Sequence, residues 1–239
     1  MDNIGERKRH IQQMFNSIAR RYDLLNHLLS GGVDIYWRRR ALDQVRQRPR
    51  RILDLATGTG DFALSSRRLR AERIIGVDLA LNMVRLGVRK IGKKEANTAV
   101  RLLGGDAEKL PFADACFDLV TVAFGVRNFG SIAAGLQEAR RVLRPGGELL
   151  VLDFGEPEMP LFRELYRFYF TRILPLVGGV ISGNRRAYSY LPQSVGTFPQ
   201  GRAFIKLLEE AGFGDNAATA LSLGICRIYQ GIKPGIQVD

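Results

Sequence analysis

The sequence predicts an α/β protein built on a doubly wound, mostly parallel sheet of seven strands, and three observations carry that prediction. Arg51-Ile-Leu-Asp-Leu-Ala-Thr-Gly-Thr-Gly-Asp61 reads as a buried strand, a glycine turn and a helix start. That is the corner at which such folds bind phosphate or carboxylate groups. From residue 51 onward, short apolar strands alternate with helical patterns, which implies parallel pairing through right-handed crossovers. The chain has 239 residues, 46% apolar and 25% charged, values that suit one large globular domain with a full core.

Residues 5–48 precede the first core strand and read as helical. Ile11, Met14, Phe15, Ile18 and Ala19 recur at intervals of three and four, so one face is apolar. After a Gly31-Gly32 break comes a basic helix, Asp34 to Arg48, that carries Trp37 and Arg38-Arg39-Arg40 and is ended by Pro49. This segment is either a packed cap on the sheet or a lid over a pocket beyond the carboxyl strand ends. The expected strands are Ile52–Leu55, Arg73–Asp78, Val100–Leu103, Phe117–Ala123 and Glu148–Asp153. Helices are expected at Leu79–Ile91 and Ile132–Leu143, with a polar loop at Gly92–Thr98 and a turn at Arg144-Pro-Gly-Gly147. Residues 156–200 break the rhythm. They hold a helix at Pro160–Leu174 rich in Phe and Tyr, an apolar run at Ile173–Ile181, and a polar, aromatic stretch ending at Tyr190. A helix at Gly201–Ala211 and strands near Ala217–Leu221 and Ile225–Gly231 close the chain. The organisation is thus a helical cap (1–50), a binding core (51–155), an aromatic helical insertion (156–200) and closing elements of the same domain (201–239).

Gly58 and Gly60 permit positive φ and let a ligand approach the backbone with no Cβ in the way. With Ala63 they would pass as a dinucleotide fingerprint, but Asp54, four residues before Gly58, has no role in one. The D-x-x-x-G-x-G spacing resembles the loop of S-adenosylmethionine (AdoMet) methyltransferases. Asp54 would hold the ligand ammonium directly or by organising the turn. Thr59 and the amides about Gly58 and Gly60 face the place of an amino-acid carboxylate. Asp78 ends the second strand, 18 residues after Gly60, where a carboxylate accepts both ribose hydroxyls. Asp106 follows the third strand, placed to accept from an adenine amine while the Ala107 N–H donates to the ring. Met83 reads equally as an adenine contact and as plain core. Three acids at three strand ends suit an ammonium, a ribose diol and an adenine amine. That ligand is AdoMet rather than NAD, whose pyrophosphate wants no acid nearby.

The chain carries 36 basic and 24 acidic residues, a net charge of +12, and residues 1–51 hold 12 of the basic and 5 of the acidic ones. Such a field favours anionic partners, nucleic acid or acidic lipid. Cys116 and Cys226 have no metal-ligand spacing, so no metal is expected, and they fit a reducing cytosol. The N-terminus lacks the apolar core of a signal peptide. The longest apolar run has nine residues, about half of the ~20 needed to span a bilayer. These features predict a cytoplasmic protein, with peripheral contact at the inner face of the membrane left open.

Met14-Phe-Asn-Ser-Ile-Ala-Arg-Arg-Tyr-Asp-Leu-Leu-Asn26, Asp106-Ala-Glu-Lys-Leu-Pro-Phe112, Phe124-Gly-Val-Arg-Asn128 and Val142-Leu-Arg-Pro-Gly-Gly-Glu-Leu-Leu-Val-Leu152 resemble the ubiquinone/menaquinone C-methyltransferases, above all those acting on demethylmenaquinone. The resemblance runs from about Arg9 to Lys233. The Leu-Pro-Phe and Pro-Gly-Gly pieces are general to AdoMet enzymes, whereas the N-terminal stretch and Phe-Gly-Val-Arg-Asn are specific. It implies a Rossmann-like class I AdoMet methyltransferase sheet, with cofactor contacts at Thr59, Asp78, Asp106 and Ala107. The chain departs at Ala123, where some members have serine, and at Thr57, where glycine is frequent.

The implied reaction is C-methylation of a reduced, polyprenylated demethylnaphthoquinol to menaquinol. Loss of a phenolic proton loads the free ring carbon, which takes the methyl in line, and exclusion of water favours the step. The candidates for the base are His27, which reads equally as a packed residue of the cap, and Asp23 acting through a water. Arg127 is expected to stabilise the phenolate, or else to pair with a nearby carboxylate as a loop arginine, and Asn128 to fix a ring oxygen. The 162–190 segment either walls the quinone and its tail or packs as an ordinary helix or dimer surface. The basic charge keeps a nucleic-acid methyltransferase as the rival, and a related benzoquinol or a non-catalytic AdoMet-binding role stays open. No Pro-Pro-Tyr-type run or catalytic cysteine follows the fourth strand, and no RNA-binding module is appended, so no nucleic-acid partner is expected. An anionic membrane surface is, and self-association is left open.

Overall fold

The computed structural model describes residues 4–94, 99–173, 176 and 185–235, without the side chains of 20–22, 24–29, 93–94 and 185–189. Seven strands form one sheet in the order β3-β2-β1-β4-β5-β7-β6. They are β1 (Arg51–Leu55), β2 (Arg73–Asp78), β3 (Val100–Gly104), β4 (Phe117–Ala123), β5 (Leu143–Phe154), β6 (Gly214–Leu221) and β7 (Cys226–Ile232). β1 to β5 run parallel, and β7 is antiparallel to both β5 and β6. The central strands are apolar on both faces because helices cover both. One core packs Leu53, Val120 and Leu149 with α5 (Ile132–Val142) and α8 (Arg202–Glu210). The opposite one packs Ile52, Ile74 and Leu150 with α2 (Val33–Leu42), α3 (Asp61–Ser65) and α4 (Leu81–Lys94).

The seven-stranded sheet expected from the sequence is the one observed, and its boundaries shift where distant groups intervene. The basic helix α2 ends at Leu42 rather than Arg48. Beyond it, the Gln44 carbonyl accepts from Gln230 and the Arg46 N–H donates to Glu148, so the sheet claims the backbone there. α4 runs through Lys94, into the expected polar loop. The rest of that loop, 95–98, lies outside the described residues. β5 starts at Leu143 instead of Glu148 because Leu143 pairs with Phe117, and the Pro-Gly-Gly turn becomes an irregular strand entry. Gly146 (φ 75°) donates to the Lys233 carbonyl there, and Lys233 donates back to Gly147. The aromatic helix α6 is regular only over Pro160–Phe168, and a π turn, Tyr169–Ile173, follows it.

α1 (Ile4–Leu29) crosses the carboxyl side of the sheet. Its Met14, Ile18 and Ala19 pack with Ala80 and Met83 of the core, with Tyr166 and Phe170 of the insertion, and with Val195 of α7 (Arg185–Thr197). Cap and insertion therefore meet in one layer over the strand ends.

Gly87, in the middle of α4, fixes how closely that helix approaches the glycine loop. A Cβ there would stand 2.8 Å from the Thr59 carbonyl oxygen and 2.4 Å from Leu102. Gly→Ala inside a helix ordinarily stabilises by about 1 kcal/mol. Gly87→Ala is instead expected to lower the melting temperature and displace the loop, which thermal unfolding and a crystal structure of the variant would check.

Candidate functional site

The strand order reverses between β1 and β4, and in open α/β sheets ligands bind beyond the carboxyl ends at that point. A cleft partly open to solvent lies there. Gly58, Asp78, Met83, Asp106 and Ala107 line it from the core, and Asn128 and Phe129 from the turn after β4. Two non-glycine residues on its wall hold left-handed backbone, Ala56 (φ 49°) and Phe124 (φ 57°). Such conformations collect where the surrounding structure over-determines a binding wall.

Asp54 is buried beneath the loop and is not part of the cleft wall. It accepts from the Thr57 hydroxyl at 2.5 Å and from the Thr121 hydroxyl at 2.7 Å. Burial pushes its carboxyl up to about 6, with the two hydroxyls opposing that shift. Of the two roles expected for it, only the organising one matches this position. Thr57, where glycine is frequent in the related family, is accommodated because β2 has Gly76 opposite: a Cβ on Gly76 would lie 2.6 Å from the Thr57 hydroxyl. Asp78 does reach the cleft. Its oxygens accept from the Gly58 and Ala80 amides at 2.7 Å each. Burial raises its carboxyl pKa, and those two amides work against the rise.

Thr59 and Gly60 are placed differently from the expectation. Neither lines the cleft. The Thr59 hydroxyl donates to Asp23 at 2.5 Å and accepts from Lys90 at 2.9 Å. Lys90 also donates to Asp23 (2.8 Å) and to Asp61 (2.6 Å), so one ammonium ties α1, the glycine loop and α4 together. Asp23 is thereby engaged as an ion-pair partner rather than standing free in the cleft as a base. The His27 side chain lies outside the described residues.

The turn after β4 separates its two candidate residues. Val126–Asn128 is a 3₁₀ turn, in which consecutive side chains diverge by about 120°. Asn128 lines the cleft and accepts from the Tyr190 hydroxyl at 3.0 Å. Arg127 points away from the cleft and is buried. It donates to Asp153 at the end of β5, to the Phe124 carbonyl at 2.6 Å and to Ser194 at 3.3 Å, and it lies 5.3 Å over the Phe154 ring. Burial raises the Asp153 carboxyl while Arg127 opposes the rise. Contact with a phenolate, one of the two roles expected for Arg127, is not the one this position supports.

Several cleft residues had no signal in a linear reading. Lys8 of α1 lines the cleft and bridges Asp106 (2.7 Å) and Glu108 (2.9 Å), with Ile11 and Phe15 beside it. The apolar repeat of α1 gave a sign of Ile11 and Phe15, but only as a packed face. α1 thus roofs the cleft, which supports the lid reading of the N-terminal segment. The aromatic insertion divides: Tyr166 and Phe170 stack at 4.7 Å and join Phe154, which meets the cleft residue Phe124 at 4.7 Å. Among the described residues no His/Cys/Asp/Glu cluster could hold a metal.

The site fits AdoMet by its donor set: carboxylates of Asp78 and Asp106 for a diol and an amine, beside apolar Val77, Leu79 and Met83. The profile of the ubiE/COQ5 methyltransferase family matches residues 1–233. The chain is 48% identical to the demethylmenaquinone methyltransferase of Thermus thermophilus, over 92% of this chain and 100% of that one. It is 42% identical to the ubiquinone/menaquinone biosynthesis C-methyltransferase UbiE of Geotalea daltonii, over 98% and 100%. In fold it is similar to a SAM-dependent methyltransferase, possible histamine N-methyltransferase, from Thermotoga maritima. The TM-score is 0.66 at 22% identity, covering 94% of this chain and all of that one.

Two outcomes follow from the ion pairs. Lys90→Met leaves Asp23 and Asp61 without their cation and frees the loop, so AdoMet affinity should fall about fivefold, roughly 1 kcal/mol. Lys90→Arg should restore most of it, and calorimetry reads both. Arg127→Ala should cost about 3–5 kcal/mol of stability, because it strands the Asp153 carboxylate. Adding Asp153→Asn should recover most of that loss in urea denaturation. Wild-type stability with abolished turnover would instead assign the guanidinium to the substrate.

Proposed function

The chain belongs to the ubiE/COQ5 methyltransferase family, and on that premise we propose that it is the AdoMet-dependent C-methyltransferase that converts a polyprenylated demethylmenaquinol to menaquinol. The observation that carries the reading is the near-full-length identity of 48% to a demethylmenaquinone methyltransferase. Bound AdoMet supplies a methyl group made electrophilic by its sulfonium. The rest falls to this chain. Asp78 takes the ribose hydroxyls, and Asp106 with the Ala107 N–H takes the adenine edge. Gly58 leaves the approach open. Thr59, Gly60 and Asp54 act from behind, by holding the loop in shape.

Asn128 and Tyr190 are the pair we assign to a quinol oxygen. The Tyr190 hydroxyl donates to the Asn128 side-chain oxygen, which orients the amide so that its NH₂ can donate to one quinol oxygen. Phe15, Phe124 and Phe129 line the same cleft and exclude water. This favours a step in which phenolate and sulfonium charges cancel. Arg127 acts through position, by fixing the turn that presents Asn128. The quinol would lose its phenolic proton to water at the open side of the cleft, the free ring carbon would take the methyl as the sulfur–methyl bond breaks and the neutral thioether leaves, and the ring hydrogen would pass to water as a proton to restore aromaticity. We assign the enzyme to the cytoplasmic side of the membrane, in peripheral contact with anionic lipid. None of its described helices is long and apolar enough to cross a membrane.

The test is incubation with a prenylated demethylmenaquinol and AdoMet. Mass spectrometry should find the product heavier by one CH₂, with the ring hydrogen replaced. Methylated RNA in place of methylated quinol would favour the rival reading. Asp78→Asn should weaken AdoMet binding at least tenfold, from the loss of a charged acceptor worth ~1.5–3 kcal/mol per hydrogen bond. Unchanged affinity by calorimetry would remove Asp78 from the cofactor site.

A further inference from the structure

The helix that begins the insertion has two apolar faces. α6 turns Tyr166 inward, and the π turn after it does the same with Phe170, so both rings join α1 and the layer over the cleft. Its other face is apolar too. Leu161, Leu165 and Phe168 recur at i, i+4 and i+7, forming one stripe, and their exposures are 82%, 64% and 59%. Phe162, Ile173 and Leu176 extend the exposed surface. A soluble helix ordinarily gives its second face to charged residues, and a continuous apolar ridge on one marks an interaction surface.

We propose that this ridge is the surface by which the protein seats itself on an anionic lipid bilayer, at the interface of headgroups and acyl chains. The inference rests on the proposed function, in which the substrate carries a polyprenyl tail that resides in lipid. Two observations select lipid as the occupant. The ridge is the outer side of the same layer whose inner side meets the cleft roof, so a tail leaving the cleft through that layer meets the surface on which the protein sits. The chain carries a net charge of +12, and Arg172 is exposed at the end of the ridge. An apolar face on a strongly basic protein is complementary to an anionic bilayer. It is ill suited to a second copy of the same cationic chain.

The test uses the full chain and the variant Leu161→Ser/Leu165→Ser/Phe168→Ser. All three positions are exposed, so the variant is expected to fold and to bind AdoMet with wild-type affinity by calorimetry. Co-sedimentation is measured with phosphatidylglycerol–phosphatidylcholine vesicles and with phosphatidylcholine alone. The wild type should bind the anionic vesicles more tightly, and added salt should weaken but not abolish that binding. The variant should lose at least tenfold in vesicle partitioning. It should also lose turnover of a long-tailed demethylmenaquinol embedded in vesicles, while turnover of a short-tailed analogue in detergent stays at the wild-type rate. Wild-type partitioning by the variant would overturn the proposal. So would a wild-type dimer that the triple substitution dissociates with vesicle binding unchanged, which would make the ridge an interface between copies. Failure of the wild type to methylate the detergent-dispersed quinol would instead overturn the functional reading, and vesicle binding would still report on the ridge by itself.

Discussion

The cleft depends on one buried carboxylate. Asp54 stands at the carboxyl end of the central strand, where water cannot reach it, and its two oxygens take hydroxyl hydrogens from Thr57 and Thr121. A buried acid is costly unless such partners meet it. Because they do, it ties the first residue of the glycine loop to its own strand and to β4. That geometry sets where the Gly58 N–H points, and the Gly58 N–H in turn donates to Asp78. Three successive strand ends are thereby joined by short polar contacts beneath the cleft floor.

The N-terminal helix is joined to this floor by charge at both ends of the cleft. Near its start Lys8 bridges Asp106 and Glu108, and further on Asp23 meets Lys90 and Thr59. These groups are part-exposed, so each contact contributes modestly to stability. Their effect is geometric, since they hold the apolar residues Ile11 and Phe15 over the opening.

The aromatic insertion connects the cleft to the surface. Phe124 at the wall, Phe154 at the end of β5, and Phe170 and Tyr166 behind them form a run of rings 4.7–5.9 Å apart. Rings at such spacings pack in tilted or offset arrangements and fill volume with little side-chain freedom to lose. Arg127 lies over one of these rings and is paired with Asp153. The polar anchor of the turn after β4 is therefore built into the same aromatic layer.

The sequence by itself determined the sheet, the helices between its strands and the glycine corner. Those features rest on local chemistry: apolar runs of strand length, periodic helical faces, and glycine where φ must be positive. β2 and β4 begin and end at the expected residues for that reason. That Asp78, Asp106, Ala107 and Asn128 line the cleft was also legible, because each stands at or just beyond the carboxyl end of a parallel strand, and those ends face the crevice. Tertiary structure alone decided the rest. Arg127 and Asn128 are adjacent in the chain, yet a single step of a 3₁₀ turn sends one to Asp153 and the other to the cleft. Asp23 meets Lys90, 67 residues away, and α2 stops early because Glu148 and Gln230 claim the backbone beyond it. A charged or polar side chain carries its chemistry in the sequence but not its partner. The partner is chosen when the folded chain brings one of several equivalent groups within hydrogen-bond distance and moves the others out of reach.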